Sequence, residues 1–177
     1  GNGAGPRVDT APPAVPANAG ASLAAMPKPE LPGPPAPVPF DFGKYELVQD
    51  KASLERWVRE ARAQGFVAVS SKTSASHVIK GALCGIALAL APGKACYVPL
   101  DHGARGDLLG GERPKQVALS EGLAILKPLL EDPSVLKIGH DIKFDVAVMT
   151  KYGIALGPID DAMLISYALE GGAHSQD

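Results

Sequence analysis

Leu136-Lys137-Ile138-Gly139-His140-Asp141-Ile142-Lys143-Phe144-Asp145 is the stretch on which the reading of this chain turns. Val135, Leu136 and Ile138 form a short apolar run, Gly139 interrupts it, and Asp141 stands where a helix N-cap is expected. The pattern predicts a strand passing directly into a helix. Asp141 and Asp145 are four residues apart, so on that helix their carboxylates leave the same face one turn apart. Acidic side chains just past the carboxyl end of a strand stand where open α/β sheets place their chemistry. On spacing alone the simpler account makes Asp141 a cap and Asp145 a solvated surface charge.

Outward from that stretch, residues 45–48 read as a short strand. Residues 53–64 read as a helix, with Leu54, Trp57, Val58 and Ala61 at helical spacing and Gly65 as its stop. Trp57 is expected to pack that helix onto the sheet. Residues 66–69 are apolar on both faces and predict a central strand. Residues 70–80 are polar and read as a loop. Residues 83–90 and 95–100 predict a hairpin around Pro92-Gly93. The Gly-rich, charged residues 101–116 read as a surface loop, and 117–130 as a helix whose last turn Pro128 disturbs. The helix opening at Asp141 runs to about residue 152, with Gly153 as its cap. A short segment at 154–159 leads into a last helix over 161–169. The order β-α-β-β-β-α-β-α-β-α implies an α/β protein with a mixed sheet and helices on its faces.

The 177 residues are not uniform: residues 1–40 hold 11 of the 17 prolines and few large apolar side chains. That Pro/Ala/Gly-rich segment is expected to be a disordered linker, because it buries too little surface to offset its ordering entropy. About 137 residues remain from Asp41 onward, enough for one core. A net charge of −2 argues against a nucleic-acid binder working by bulk electrostatics. Cys84 and Cys96 fall on neighbouring strands and are expected to be two reduced, buried thiols. No apolar run reaches the length of a membrane span, and the start lacks a signal-peptide core, so a cytoplasmic domain without membrane contact is expected. The stop at His174-Ser175-Gln176-Asp177, with no closing element, suggests a truncated domain over 41–177.

Leu83-Cys84-Gly85-Ile86-Ala87-Leu88, Tyr97-Val98-Pro99-Leu100-Asp101-His102 and Leu126-Lys127-Pro128-Leu129-Leu130-Glu131-Asp132 precede the central stretch. Tyr152-Gly153-Ile154 and Asp161-Ala162-Met163-Leu164-Ile165-Ser166-Tyr167 follow it. In this order and spacing, from about Phe42 to Asp177, the chain resembles the 3′–5′ proofreading exonuclease domain of bacterial DNA polymerase I. The resemblance implies a ribonuclease H-like fold, a five-stranded mixed sheet flanked by helices. It also implies a two-metal mechanism in which four carboxylates hold paired Mg²⁺ or Mn²⁺ ions for in-line phosphoryl transfer at a single-stranded 3′ end.

Carried over residue by residue, the resemblance breaks at the chemistry. The family's first motif, Asp-x-Glu-Thr, falls on Ser70-Ser71-Lys72-Thr73, so Ser70 stands at the bridging Asp and Lys72 at the Glu. The second motif keeps Asp145, with Asp141 for the usual Asn and Phe144 for the usual Tyr. The third motif's Tyr-x-x-x-Asp belongs beyond residue 177. One candidate metal ligand, Asp145, is retained, so no bound metal is expected. A hydroxyl brings no charge to a cation pair, and the Lys72 ammonium repels one and is expected to pair with Asp145. The resulting expectation is a vestigial, inactive exonuclease domain. It would brace a polymerase domain of the same chain, act as a monomer, and touch single-stranded DNA weakly through Phe144, Asp141 and His102.

Two alternatives stand beside it. One is an active nuclease with ligands rewired among His140, Asp141, Asp145 and Asp160 or Asp161; there the plainer account has Asp161 capping the last helix. The other is a module that captures single-stranded 3′ ends without cutting. His102 has the plainer account of a solvated loop residue. Lys80, Lys94, Arg105, Arg113 and Lys115 are interrupted by Asp101, Asp107 and Glu112, which reads as a mixed surface. No Gly-x-Gly-x-x-Gly follows the first strand, which sets aside a dinucleotide fold.

Overall fold

The computed structural model of the chain describes residues 1, 41, 44–76, 80–103 and 115–170. The expected linker over 1–40, Arg105 and Arg113 with most of their loop, and the chain end past 170 lie outside the described residues. The first helix, α1 (Lys51–Gln64), follows strand β1 (Glu46–Leu47). It begins two residues earlier than its apolar spacing suggests. The reason is Asp50, an N-cap whose carboxylate accepts from the Ser53 N–H and hydroxyl, both at 2.9 Å. Gly65 ends the helix at φ +83°, a left-handed conformation natural to glycine, with its N–H on the Ala61 carbonyl. Trp57 packs this helix into the core as expected, and its Nε1 also donates to Glu46 Oε2 at 2.9 Å.

Strands β2 (Phe66–Thr73), β3 (Leu83–Ala91) and β4 (Lys94–Pro99) form an antiparallel meander. Helix α2 (Leu119–Leu130), strand β5 (Leu136–Gly139), helix α3 (Ile142–Lys151), strand β6 (Ile159–Asp161) and helix α4 (Ala162–Glu170) complete the order. The sheet order is β1-β4-β3-β2-β5-β6, with β1 parallel to β4 and β5 parallel to both β2 and β6. Among the described residues the sheet therefore has six strands, one more than the five the resemblance implied and as many as the element order contains. Its last strand is only three residues long. Residues 70–73, expected in a loop, are the second half of β2.

Side chains alternate across a strand, so parity sorts the two faces. Val67, Val69, Ile86, Leu88, Leu90, Cys96 and Val98 share one face and one core with Leu54 and Ala61 of α1, Leu126 and Leu129 of α2, and Val148 and Met149 of α3. The opposite parity carries Phe66, Ala68, Ala89, Ala95 and Ile138, which line an open apolar depression of about 320 Å³. Cys84 and Cys96 are both free thiols; Cys96 is buried as expected and Cys84 only half-buried. Cys96 is in register with Leu88, four residues from Cys84 along β3. Lys137 is fully buried, its Nζ donating to the carbonyls of Asp132 and Val135 at 2.8 and 2.7 Å.

Candidate functional site

The junction of β2, β5 and α3 gathers most of the residues singled out in the sequence. Asp145, in the first turn of α3, is 4% exposed and so is no solvated surface charge. Its Oδ1 accepts from the Ser71 N–H at 2.5 Å and the Ser71 hydroxyl at 2.6 Å. Burial pushes the Asp145 carboxyl above the ordinary carboxylate range. The two Ser71 hydrogen bonds and the positive field of Lys72 work against that rise, while Asp141 adds to it.

Ser71, rather than Ser70 or Lys72, is the partner of Asp145. Ser71 continues the inward parity of Val67 and Val69 and is 5% exposed. Ser70 is half-buried and Lys72 exposed, and both carry the opposite parity of β2. The expected Lys72–Asp145 salt bridge is absent; among the described residues Lys72 forms no ion pair. The signal that would have found Ser71 is the alternation Val67, Val69, Ser71, visible once 70–73 are allowed to be strand.

Asp141 occupies the N-cap position of α3 but does not cap it through its side chain. Its backbone is left-handed (φ +52°, ψ +47°), a conformation Asp tolerates better than most residues. The cap comes from the distant Asp161, whose two oxygens accept the N–H groups of Asp141 and Ile142, each at 3.1 Å. Asp161 Oδ1 also accepts from Met163 N–H at 2.9 Å, so it serves the start of α4 as expected. His140 and Asp160 are exposed. Among the described residues, no group of three or more His, Cys, Asp or Glu is arranged to hold a metal ion.

The remaining candidates lie apart. Phe144 is half-buried and packs against the core. His102 is no solvated loop residue: its Nε2 lies 2.6 Å from the Tyr97 hydroxyl, and its backbone N–H donates to Gln116 Oε1 at 2.9 Å. Burial pushes the Tyr97 phenol up. Lys94 pairs with Glu60 at 2.6 Å, Lys80 is exposed, and the Lys115 carbonyl accepts from Gln49. Among the described residues, no helix is long and apolar enough to cross a membrane.

A six-stranded mixed sheet with flanking helices, carrying its acidic residue at the start of the helix after β5, is a ribonuclease H-like nuclease scaffold. The chain belongs to the 3′–5′ exonuclease family, whose pattern matches residues 45–175. It is 40% identical over 155 residues to DNA polymerase I of Rhizobium leguminosarum, covering 80% of this chain and 15% of that protein. With DNA polymerase I of Pseudomonas aeruginosa it shares 34% over 136 residues, covering 75% of this chain and 14% of that protein. The chain thus spans about a seventh of the length of these relatives. Among solved structures, RNase D of Trypanosoma brucei shares the fold, with a TM-score of 0.55 at 14% identity over 71% of this chain and 40% of that one.

Proposed function

We propose that residues 41–177 are a vestigial 3′–5′ exonuclease domain of a bacterial DNA polymerase I. On this reading the domain does not hydrolyse DNA and acts as a cytoplasmic, monomeric structural module braced against a polymerase domain of the same polypeptide. The likeness to two bacterial DNA polymerases I supports the setting. The observation that carries inactivity is the chemistry of the side chains of Ser70, Lys72 and Asp145. A pair of Mg²⁺ or Mn²⁺ ions needs several anionic oxygens with free lone pairs. Ser70 offers a neutral hydroxyl, Lys72 an ammonium, and Asp145 turns Oδ1 to two donors of Ser71. These residues do not fit two divalent cations. A centre rewired through Asp161 has less support, because both its oxygens already accept backbone N–H groups.

The test uses the full-length polypeptide, incubated with labelled single-stranded DNA in Mg²⁺ and in Mn²⁺. The unaltered chain is expected to leave the DNA intact, and a Ser70→Asp, Lys72→Glu variant to shorten it from the 3′ end. Metal-dependent trimming by the unaltered chain overturns the proposal.

A further inference from the structure

The first strand of the sheet is held from two sides. β1 is two residues long and, among the described residues, pairs only with β4, Glu46 opposite Cys96 and Leu47 opposite Tyr97. One further backbone bond joins the Val48 N–H to the Tyr97 carbonyl at 2.9 Å. Val48 is buried, whereas Tyr45 and Leu47 are exposed, so apolar burial anchors one end of the strand alone. A pairing this short is marginal without support from elsewhere. Glu46 supplies it: Oε1 accepts from Arg56 Nη2, and Oε2 from Trp57 Nε1 at 2.9 Å. Arg56 reaches one turn along α1 to Glu60 at 3.2 Å, and Glu60 pairs with Lys94 of β4 at 2.6 Å. The four charges therefore run from β1 across α1 and back to the strand with which β1 pairs. Exposed ion pairs taken singly contribute little. Here one half-buried carboxylate carries both a guanidinium and an indole donor, on a strand with few other contacts. The Arg56 guanidinium also holds the Glu46 carboxyl below the ordinary carboxylate range.

We infer that β1 is a strap latched by Glu46, which opens as a unit while the rest of the sheet stays folded and so gates the Cys96 thiol beside it. Cys96 is buried on the face covered by α1, with Glu46 in register on its edge side and Leu88 on the other. Burial pushes its thiol up to about 12, so with the strap closed almost no reactive thiolate is present at neutral pH. Opening removes the edge-side neighbour, returns the thiol toward water and bares the backbone edge of β4. Two strands, β4 and β3, separate the strap from β2 and the candidate site.

The full-length polypeptide is treated with N-ethylmaleimide at low and at high KCl. Alkylation of Cys96 and deuterium uptake by β1, β2 and β3 are followed peptide by peptide by mass spectrometry. Glu46→Gln keeps an acceptor for Trp57 and removes the charge, and is expected to speed alkylation of Cys96 about fivefold at low salt. Arg56→Gln is expected to do the same, and the two together little more than either, because both break one latch. Salt is expected to speed alkylation of the unaltered protein and to change it little in Glu46→Gln. The peptide spanning β1 is expected to take up deuterium faster in both variants, with β2 and β3 unchanged. Glu121→Gln, which breaks the Lys51 pair between α1 and α2, is expected to leave Cys96 as it was. Unchanged alkylation in Glu46→Gln, fully additive effects of the two variants, or uptake that rises in β2 and β3 together with β1 overturns the strap.

Discussion

Asp145 is a buried carboxylate whose two short hydrogen bonds do not offset its desolvation. Because its folded pKa lies above the ordinary 3.8, the native state holds the proton more tightly than the unfolded chain. The stability linked to it is present below the unfolded pKa and is lost as pH rises through the folded one. Asp145→Asn keeps an acceptor for both Ser71 donors and removes the buried charge. It is expected to raise Tm at pH 7, with the gain shrinking as both proteins are acidified; a Tm difference that does not change with pH contradicts this. At Asp141 the left-handed backbone decides. Asp141→Ala is expected to cost about 1–2 kcal/mol in urea unfolding, whereas Asp141→Gly, at home in that conformation, is neutral or stabilising. Asp161→Ala strips an acceptor from three N–H groups and is expected to cost about 2 kcal/mol, more than the loss of a single cap.

At the scale of elements, the helices were legible because their apolar residues recur at helical spacing, and Gly65 marks an end by its conformation. The second half of β2 was not legible. Ser70-Ser71-Lys72-Thr73 shows no apolar alternation, since its inward position is filled by a serine that meets a carboxylate instead of a methyl group. Lys137 hid in the same way: its charge reads as surface, yet its ammonium is satisfied by two carbonyls of the turn before β5. In α2, Pro128 lies inside the helix without ending it, and Leu129 beside it is fully buried. Leu129→Ala is expected to cost about 2–5 kcal/mol by equilibrium denaturation, because the surrounding side chains close only part of the cavity.

At the scale of the whole molecule, β2 and β3 are paired on both sides while, among the described residues, β6 pairs only with β5. Leu164, Ile165, Tyr167 and Leu169 of α4 are 48–70% exposed. Hydrogen exchange is expected to find the longest protection in β2 and β3 and exchange at least roughly tenfold faster in α4; equal protection would show that α4 is packed as firmly as the sheet. What the sequence by itself determined is the element order, the mixed sheet and the neutral Ser70 and cationic Lys72 at the end of β2. Those are properties of local spacing and residue identity, which survive without knowledge of contacts. Only the tertiary structure decided that Ser71 holds Asp145, that Asp161 caps a helix 20 residues earlier in the chain, and that Tyr97 leans over Gly85 with its hydroxyl hydrogen-bonded to His102. Each depends on strand register and on which side of the sheet a residue faces, and a shift of one residue would reverse it.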